Sequence, residues 1–367
     1  MELVVLLVTL ALLGTFCYLI PRIGRRGLLF GVYVGEESSE GEEARRITRS
    51  WNWRIAAWLL LCFLLAAVAT PYFRAAGTIV AALLVSCAGV VIEFIRAHYQ
   101  ARRLAVAGSP RLSAAAVVTT GNPVPLVMPS VAIAFGFVGA AIAIGYTWAH
   151  FAELPAMFPT HFGPSGAPDD WMPKSYATVM MLPIVSLVVC VGLGVIALLT
   201  GRAKRSIRTG DNGVSFEAQE RFRTIMARFL AGLSMSVTVL MTTLSICAIR
   251  VAMGAAPTLP RSLDVIVVGL VIFAVGGSLI IALRYGQGGS RLEHAAADAP
   301  LTNGLADNKL WVLGMFYVNR DDPSILVEKR FGLGYTINFG NRMAVAFIVV
   351  FLALIVLLPA VMALFGR

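Results

Sequence analysis

Apolar and polar positions along this chain fall in long blocks, not in the short alternations of a soluble domain. Eight blocks are almost continuously apolar, at 3–20, 55–71, 75–95, 126–148, 179–199, 230–248, 265–283 and 343–364. A bilayer core about 30 Å thick is crossed by about 20 residues rising about 1.5 Å each, so each block predicts a spanning helix. Lipid offers no partner to backbone N–H and C=O groups, and the blocks are too long for barrel strands of about 10 residues. The pattern therefore predicts an all-α integral membrane protein with eight transmembrane helices. The first block is expected to stay attached, because Met1-Glu2 supplies no basic lead and no small-residue cleavage site follows it.

Composition points the same way: 58% of residues are hydrophobic and 14% charged, with a mean hydropathy of +0.80, whereas soluble domains run near 25% charged. All five cysteines (Cys17, Cys62, Cys87, Cys190, Cys247) lie in apolar blocks, where a thiol behaves as a small hydrophobe. Their spacing fits neither a disulfide framework nor a metal-thiolate site.

The net charge of +10 is unevenly placed. Segments 21–54, 96–125, 200–228 and 284–342 carry 25 of the 30 Arg and Lys residues. Cytoplasmic loops retain Arg and Lys, so these segments are expected inside and both termini outside, in a bacterial cytoplasmic (inner) membrane. Topology and anionic lipid account for the charge. No nucleic-acid motif accompanies it, so nucleic acid is not expected as a partner.

Segment 21–54 opens on Arg22, Arg25 and Arg26, passes a strand-like stretch at 28–34, and becomes acidic then basic. Ser39 with Glu42 fits a capping box, Glu42 and Arg46 a surface pair one turn apart, and Trp51 and Trp53 an interfacial belt. A turn at Gly210-Asp211-Asn212-Gly213 precedes a charged helix leading into the sixth block. The Gly- and Ala-rich stretch from 284 reads as a flexible linker. Beyond it, 311–318, 325–331 and 335–339 are strand-like, with turns at Asn319-Arg320-Asp321-Asp322-Pro323 and Gly332-Leu333-Gly334. Tyr335, Ile337 and Phe339 alternate with Thr336 and Asn338 at the period of a half-buried strand. They predict a small cytoplasmic β-meander, separable from the helices, before the last span. The organisation expected is an N-terminal three-helix membrane region at 1–125, a two-helix unit with an ordered outer loop at 126–200, and helices six and seven at 201–283. A linker at 284–306, the β domain at 307–341 and the last helix at 342–367 complete it.

Outside, only the connection 150–174 is long, and five prolines and two glycines predict a fixed, irregular path. Ordered loops of this length are commonly functional. His150, Glu153 and His161 are of metal-ligand type, but their spacing matches no compact motif, so no metal or other cofactor is expected. Within the blocks, Glu93 is expected to reach the interface or pair with Arg96, and Ser234, Thr238, Thr242 and Ser245, recurring on one face, to join helices. No block holds paired acids or two histidines one turn apart, so no catalytic residues are expected.

The run Leu154-Pro155, Pro159-Thr160-His161-Phe162, Gly166, Pro168-Asp169, Trp171 and Lys174 resembles a bacterial membrane domain of unknown function. That domain also occurs in the SdpI family of peptide-toxin immunity proteins. Gly163-Pro164 departs from its pattern, where an asparagine usually follows His-Phe. The stretch 28–34 resembles the segment after the first helix in related proteins. Residues 311–341, with Phe316-Tyr317-Val318-Asn319 and Asp321-Asp322-Pro323, resemble a second small domain that accompanies the first.

The resemblance implies a non-enzymatic sensor or immunity protein in a lipid bilayer. It would contact an extracellular peptide or envelope component on one side and a cytoplasmic regulator on the other. His161, Asp169, Trp171 and Lys174 are the candidate binding residues outside. Trp311, Tyr317, Asn319 and Asp322 are weaker candidates inside. The alternative is a small-solute or peptide transporter, for which broken helices or inverted repeats with buried charge would be the sign. An enzyme using His161 and Asp169 ranks third.

Overall fold

The computed structural model describes residues 2–73, 75–106, 126–163, 165–204, 214–292 and 305–365. Nine helices are described: α1 (Glu2–Ile23), α2 (Glu36–Glu40), α3 (Glu42–Ala69), α4 (Ala75–Ala101), α5 (Val127–His150), α6 (Tyr176–Gly201), α7 (Val214–Ala252), α8 (Ser262–Tyr285) and α9 (Arg342–Phe365). Seven of them, α1 and α3 through α8, are long and apolar enough to cross a membrane. The eighth apolar block falls on α9, where the apolar stretch among the described residues, Arg342–Leu357, is shorter. The predicted turn at 210–213 lies outside the described residues.

The chain divides into two compact units, each assembled from separate stretches. The first comprises Met1–Thr120, Lys204–Phe222 and Ala282–Gly340, and the second Gly121–Ala203, Arg223–Ile281 and Asn341–Arg367. The β region at 307–341, read from sequence as a domain of its own, falls within the first unit up to Gly340.

In the first unit, Ile47, Trp51, Ile55, Leu59, Cys62 and Ala66 recur every three or four residues on α3 and are buried, the stripe a packed helix requires. Leu6, Leu10 and Cys17 of α1 join the same core. The Trp51 indole donates to the Cys17 carbonyl at 2.9 Å. Trp51 is therefore a core residue and not an interfacial one, while Trp53 is exposed. The expected capping box is also absent. Ser39 lies inside α2, its hydroxyl accepting from Gly27 N–H and donating to the Glu36 carbonyl, and α3 starts at Gly41 with no side-chain cap. Arg46 pairs with Glu43, not Glu42. Glu93 does lie near Arg96, at 4.0 Å, and near Arg54, at 3.9 Å.

The strand-like stretch 28–34 is a hairpin, β1 (Leu28–Leu29) with β2 (Val32–Tyr33). Its turn residues Phe30 and Gly31 both have positive φ, which a two-residue hairpin loop requires. The C-terminal region is not one meander but two hairpins. Between α5 and α6, β3 (Met157–Phe162) pairs with β4 (Pro168–Pro173), and the two C-terminal hairpins are β5 (Trp311–Val312) with β6 (Phe316–Tyr317), and β7 (Leu326–Glu328) with β8 (Tyr335–Ile337). Among the described residues, Tyr317 and Asn338 form the one bridge between the two C-terminal hairpins. Asn338 does the rest with its side chain, accepting from Asn319 N–H and donating to the Asn319 and Asp322 carbonyls. Backbone groups satisfied in this way do not need a third ladder. Gly332-Leu333-Gly334 lies in the turn of the second hairpin, as predicted.

The start of the expected linker is packed. Gln287 is buried, and its side chain donates to the Gly334 and Lys329 carbonyls and accepts from Gly334 N–H. Beneath it Arg25 Nε meets Glu328 Oε1 at 2.6 Å, with further bonds from Arg25 to the Gly288 carbonyl and from Gln219 to Glu328.

In the second unit α5 buries Ala132, Gly136, Gly139, Ala140, Ala143 and Thr147. Small residues at this spacing let helix backbones approach closely in lipid. A Cβ on Gly136 would lie 3.3 Å from Cys190 of α6, and one on Gly139 only 2.4 Å from Thr238 of α7. Ser234 donates across to the Cys190 carbonyl at 2.9 Å. Ser234 thus joins helices as expected, whereas the buried Thr238 and Ser245 donate to the Ser234 and Met241 carbonyls of their own helix, and the Thr242 hydroxyl finds no partner among the described residues.

Candidate functional site

The connection between α5 and α6 is a folded hairpin, not an irregular loop. Strands β3 and β4 pair antiparallel, with Pro159 opposite Trp171 and His161 opposite Asp170, and the register shifts on either side of His161. Prolines at 159, 168 and 173 are tolerated because each strand has a single neighbour and its other edge needs no donor. Leu154 and Phe158 anchor the base against Val179, Ile249 and Ala252. The tip is held too, since Gly166 takes φ +77 and its carbonyl accepts from Leu259 N–H at 2.8 Å. A Cβ there would lie 3.1 Å from the Leu259 carbonyl oxygen. Gly166 is thus fixed both by backbone conformation and by close approach.

Two of the four outer candidates come together. His161 Nδ1 lies 2.5 Å from Asp169 Oδ1, and both side chains are largely exposed. An ionised carboxylate only accepts, so Nδ1 carries the proton and Nε2 is left for another partner. Trp171 is on the opposite strand and 43% exposed. Lys174 is not part of this group. Its ammonium donates to the Leu154 and Ala152 carbonyls and sits 4.9 Å from the Phe151 ring centroid, fastening the end of the hairpin to its start. Ser175 then caps α6 by accepting from Thr178 N–H.

Beneath the hairpin is a cavity of about 460 Å³, within the range of small-molecule sites. Its walls include His161, Phe162, Leu182, Leu244 and Leu259, and into this apolar setting come Thr147 and Thr160. Thr147 is 1% exposed, and neither hydroxyl has a hydrogen-bond partner among the described residues. A buried polar group left unpaired costs about 1–3 kcal/mol. Pro183 lies in the same wall, inside α6. It lacks the N–H that would otherwise meet the Val179 carbonyl one turn earlier. The site therefore offers hydroxyls and a carbonyl to a ligand with a polar end and an apolar body. Sequence reading missed Thr147 and Thr160. The available signal was Thr147, a hydroxyl four residues after Ala143 on the small-residue face.

The inner candidates are placed differently. Trp311 and Tyr317 are buried with their rings 5.1 Å apart. The Tyr317 hydroxyl donates to Asp322 and accepts from Asn319, and Lys204 reaches the same Asp322 oxygen at 2.6 Å. Burial raises the Tyr317 pKa. For Asp322 burial also works upward, but hydrogen bonds from Lys204 and Ser324 outweigh it and hold the carboxyl below its ordinary value. These four residues form an internal network instead of an open surface. Beside them Arg330 is buried and 5.0 Å from the Trp311 ring centroid. Its Nη1 donates to Asn308 and the Gly31 carbonyl, while Nε and Nη2 find no partner among the described residues.

Among the described residues no three His, Cys, Asp or Glu side chains gather as a metal site. Residues 138–187 match a domain of unknown function (DUF1648), and residues 320–345 match a family of unknown function (DUF5808). The first match spans the whole β3–β4 hairpin with the flanking halves of α5 and α6. The second covers the turn after β6, then β7, β8 and the start of α9. Neither a curated protein nor a solved structure matches the chain.

Proposed function

We propose that this chain is a non-enzymatic sensor or immunity protein of a bacterial cytoplasmic membrane, in the manner of the SdpI family its hairpin sequence resembles. Eight helices cross the bilayer, α9 being the last, with both termini outside. The β3–β4 hairpin receives an extracellular peptide, whose apolar side chain enters the cavity while its backbone N–H groups meet Thr147, Thr160 and the Val179 carbonyl. The C-terminal hairpins face the cytoplasm and contact a regulator.

The observation that carries this reading is the cavity with its unpartnered Thr147 hydroxyl. The test is a photo-crosslinking residue at position 162, on the cavity wall, in living cells that also secrete peptides. Mass spectrometry should find a peptide adduct, reduced about tenfold by Thr147→Val, the worth of one hydrogen bond. Adducts to lipid alone, or none, would overturn the proposal.

A further inference from the structure

A second site lies in the first unit. At the basic ends of α3 and α4 a cleft of about 340 Å³ is lined by Arg46, Ser50, Arg54, Gln100 and Arg103, with Glu43 at its edge. Its three guanidinium groups are poorly neutralised. Arg46 reaches Glu43 at 3.5 Å with both side chains mostly exposed, and such pairs contribute little. Arg54 shares Glu93 with Arg96, at 3.9 and 4.0 Å. Arg103 has no ion-pair or hydrogen-bond partner among the described residues.

The surroundings fix the depth of the cleft. Trp53, next to Arg54, and Tyr99, next to Gln100, are both exposed, as aromatic residues are at the level of lipid headgroups. Towards the middle of the same helices Leu60, Leu61, Leu64, Val91 and Ile92 are exposed. Leu61 lies seven residues beyond Arg54, about 10 Å along the axis. Cations and hydrogen-bond donors thus sit at headgroup height with apolar helix faces running down from them. A soluble phosphate would use only the first feature; a phospholipid uses both.

We propose that this cleft between α3 and α4 binds the headgroup of an anionic phospholipid, its phosphate held by Arg46, Arg54 and Arg103 and its acyl chains lying on the exposed apolar faces of the two helices. Basic pockets between membrane helices suit such headgroups, and the planar guanidinium matches phosphate oxygens in pairs.

The test uses the full chain in mild detergent, with phosphatidylglycerol and phosphatidylcholine added at equal concentration and retained lipid counted by native mass spectrometry. Phosphatidylglycerol should be retained in preference. Replacing both Arg54→Gln and Arg103→Gln should lower its retention roughly thirtyfold, the worth of two cations at a charged surface, with phosphatidylcholine unchanged. Arg103→Gln alone removes no ion pair or hydrogen bond among the described residues, so its smaller loss separates binding from folding. Equal retention of the two lipids, or no effect of the Arg103→Gln variant, would overturn the site. Displacement of the lipid by millimolar inorganic phosphate would overturn the lipid assignment in favour of a soluble anion.

Discussion

Arg25 and Glu328 stand 303 positions apart in the chain and meet at 2.6 Å, with side-chain exposures of 0% and 2%. Removing one partner of a buried pair strands the other charge, at a cost of about 3–5 kcal/mol, whereas apolar replacement of both is often tolerated. Glu328→Gln is therefore expected to lower the temperature at which detergent-solubilised protein loses its monodisperse peak. The double variant Arg25→Met, Glu328→Leu should recover part of the loss. A double variant as unstable as the single one would show that the stranded charge is not the cause.

The same contact changes what truncation should do. Sequence periodicity suggests that removing 307–340 leaves membrane insertion of the first seven helices intact, but Glu328, Arg330 and Asn308 reach Arg25, Gly31 and Tyr33 respectively, so packing around 21–54 should suffer. Deleting 307–340 is expected to expose 21–54 to limited proteolysis in membranes while leaving α5 and α6 protected. Unchanged cleavage in 21–54 would restore the separable reading.

Acid should act through Asp322. Its carboxyl is held below the ordinary 3.8, so its contribution to stability is complete above that value and is lost as pH falls through the lower, folded one. As pH falls from about 5 through 3.8 and below, the environment of Trp311, followed by fluorescence, should change in the wild type. Asp322→Asn should start less stable at neutral pH and lose its share of the pH dependence. A variant with an unaltered acid profile would remove Asp322 from the account.

On the hairpin three of the four sequence-nominated residues should separate into two groups. His161→Ala and Trp171→Ala alter exposed side chains and should leave the amount of folded protein nearly unchanged, within about 0.5 kcal/mol of stability, while reducing crosslinking from position 162. Lys174→Met removes two hydrogen bonds to backbone carbonyls and should reduce folded protein. If all three variants lower abundance alike, the hairpin is a brace and not a recognition element.

Orientation rests on the distribution of Arg and Lys. In a Cys-free background, Ser165→Cys and Asp321→Cys both place a thiol at an exposed position. An impermeant thiol reagent on intact cells should label position 165 and spare 321. The reverse pattern would invert the topology.

The helices were legible because a run of about 20 apolar residues has few alternatives in lipid. The hairpin turn at Gly332-Leu333-Gly334 was legible because positive φ selects glycine, whereas 28–34 reads as one strand and its turn at Phe30-Gly31 was not seen. What was hidden depends on partners distant in sequence. Trp51 looks interfacial by type, and only its packing on Phe30 and Phe331 and its bond to the Cys17 carbonyl make it core. Proline-rich 155–173 reads as irregular because strand propensity counts against proline, yet a two-stranded hairpin leaves one edge of each strand free of that demand. Lys174 looks like a solvated charge until the Leu154 carbonyl is found beside it. Thr147 gave too weak a signal, since a single hydroxyl in an apolar block is usually a satisfied one.

The turns of the first and third hairpins press together at Gly31 and Gly314, where a Cβ on the former would lie 2.7 Å from the latter's Cα and a Cβ on the latter 2.5 Å from the former's carbonyl oxygen. Each glycine therefore excludes any larger neighbour at the other site. For the evolution of this chain that is a mutual veto. Neither position can drift by a single step, and enlarging one is not offset by any change at the other, which is already as small as a residue can be. Descendants of this sequence can move the contact only by rebuilding both turns, a junction set by backbone instead of side chains and indifferent to whichever ligand or regulator the rest of the protein comes to serve.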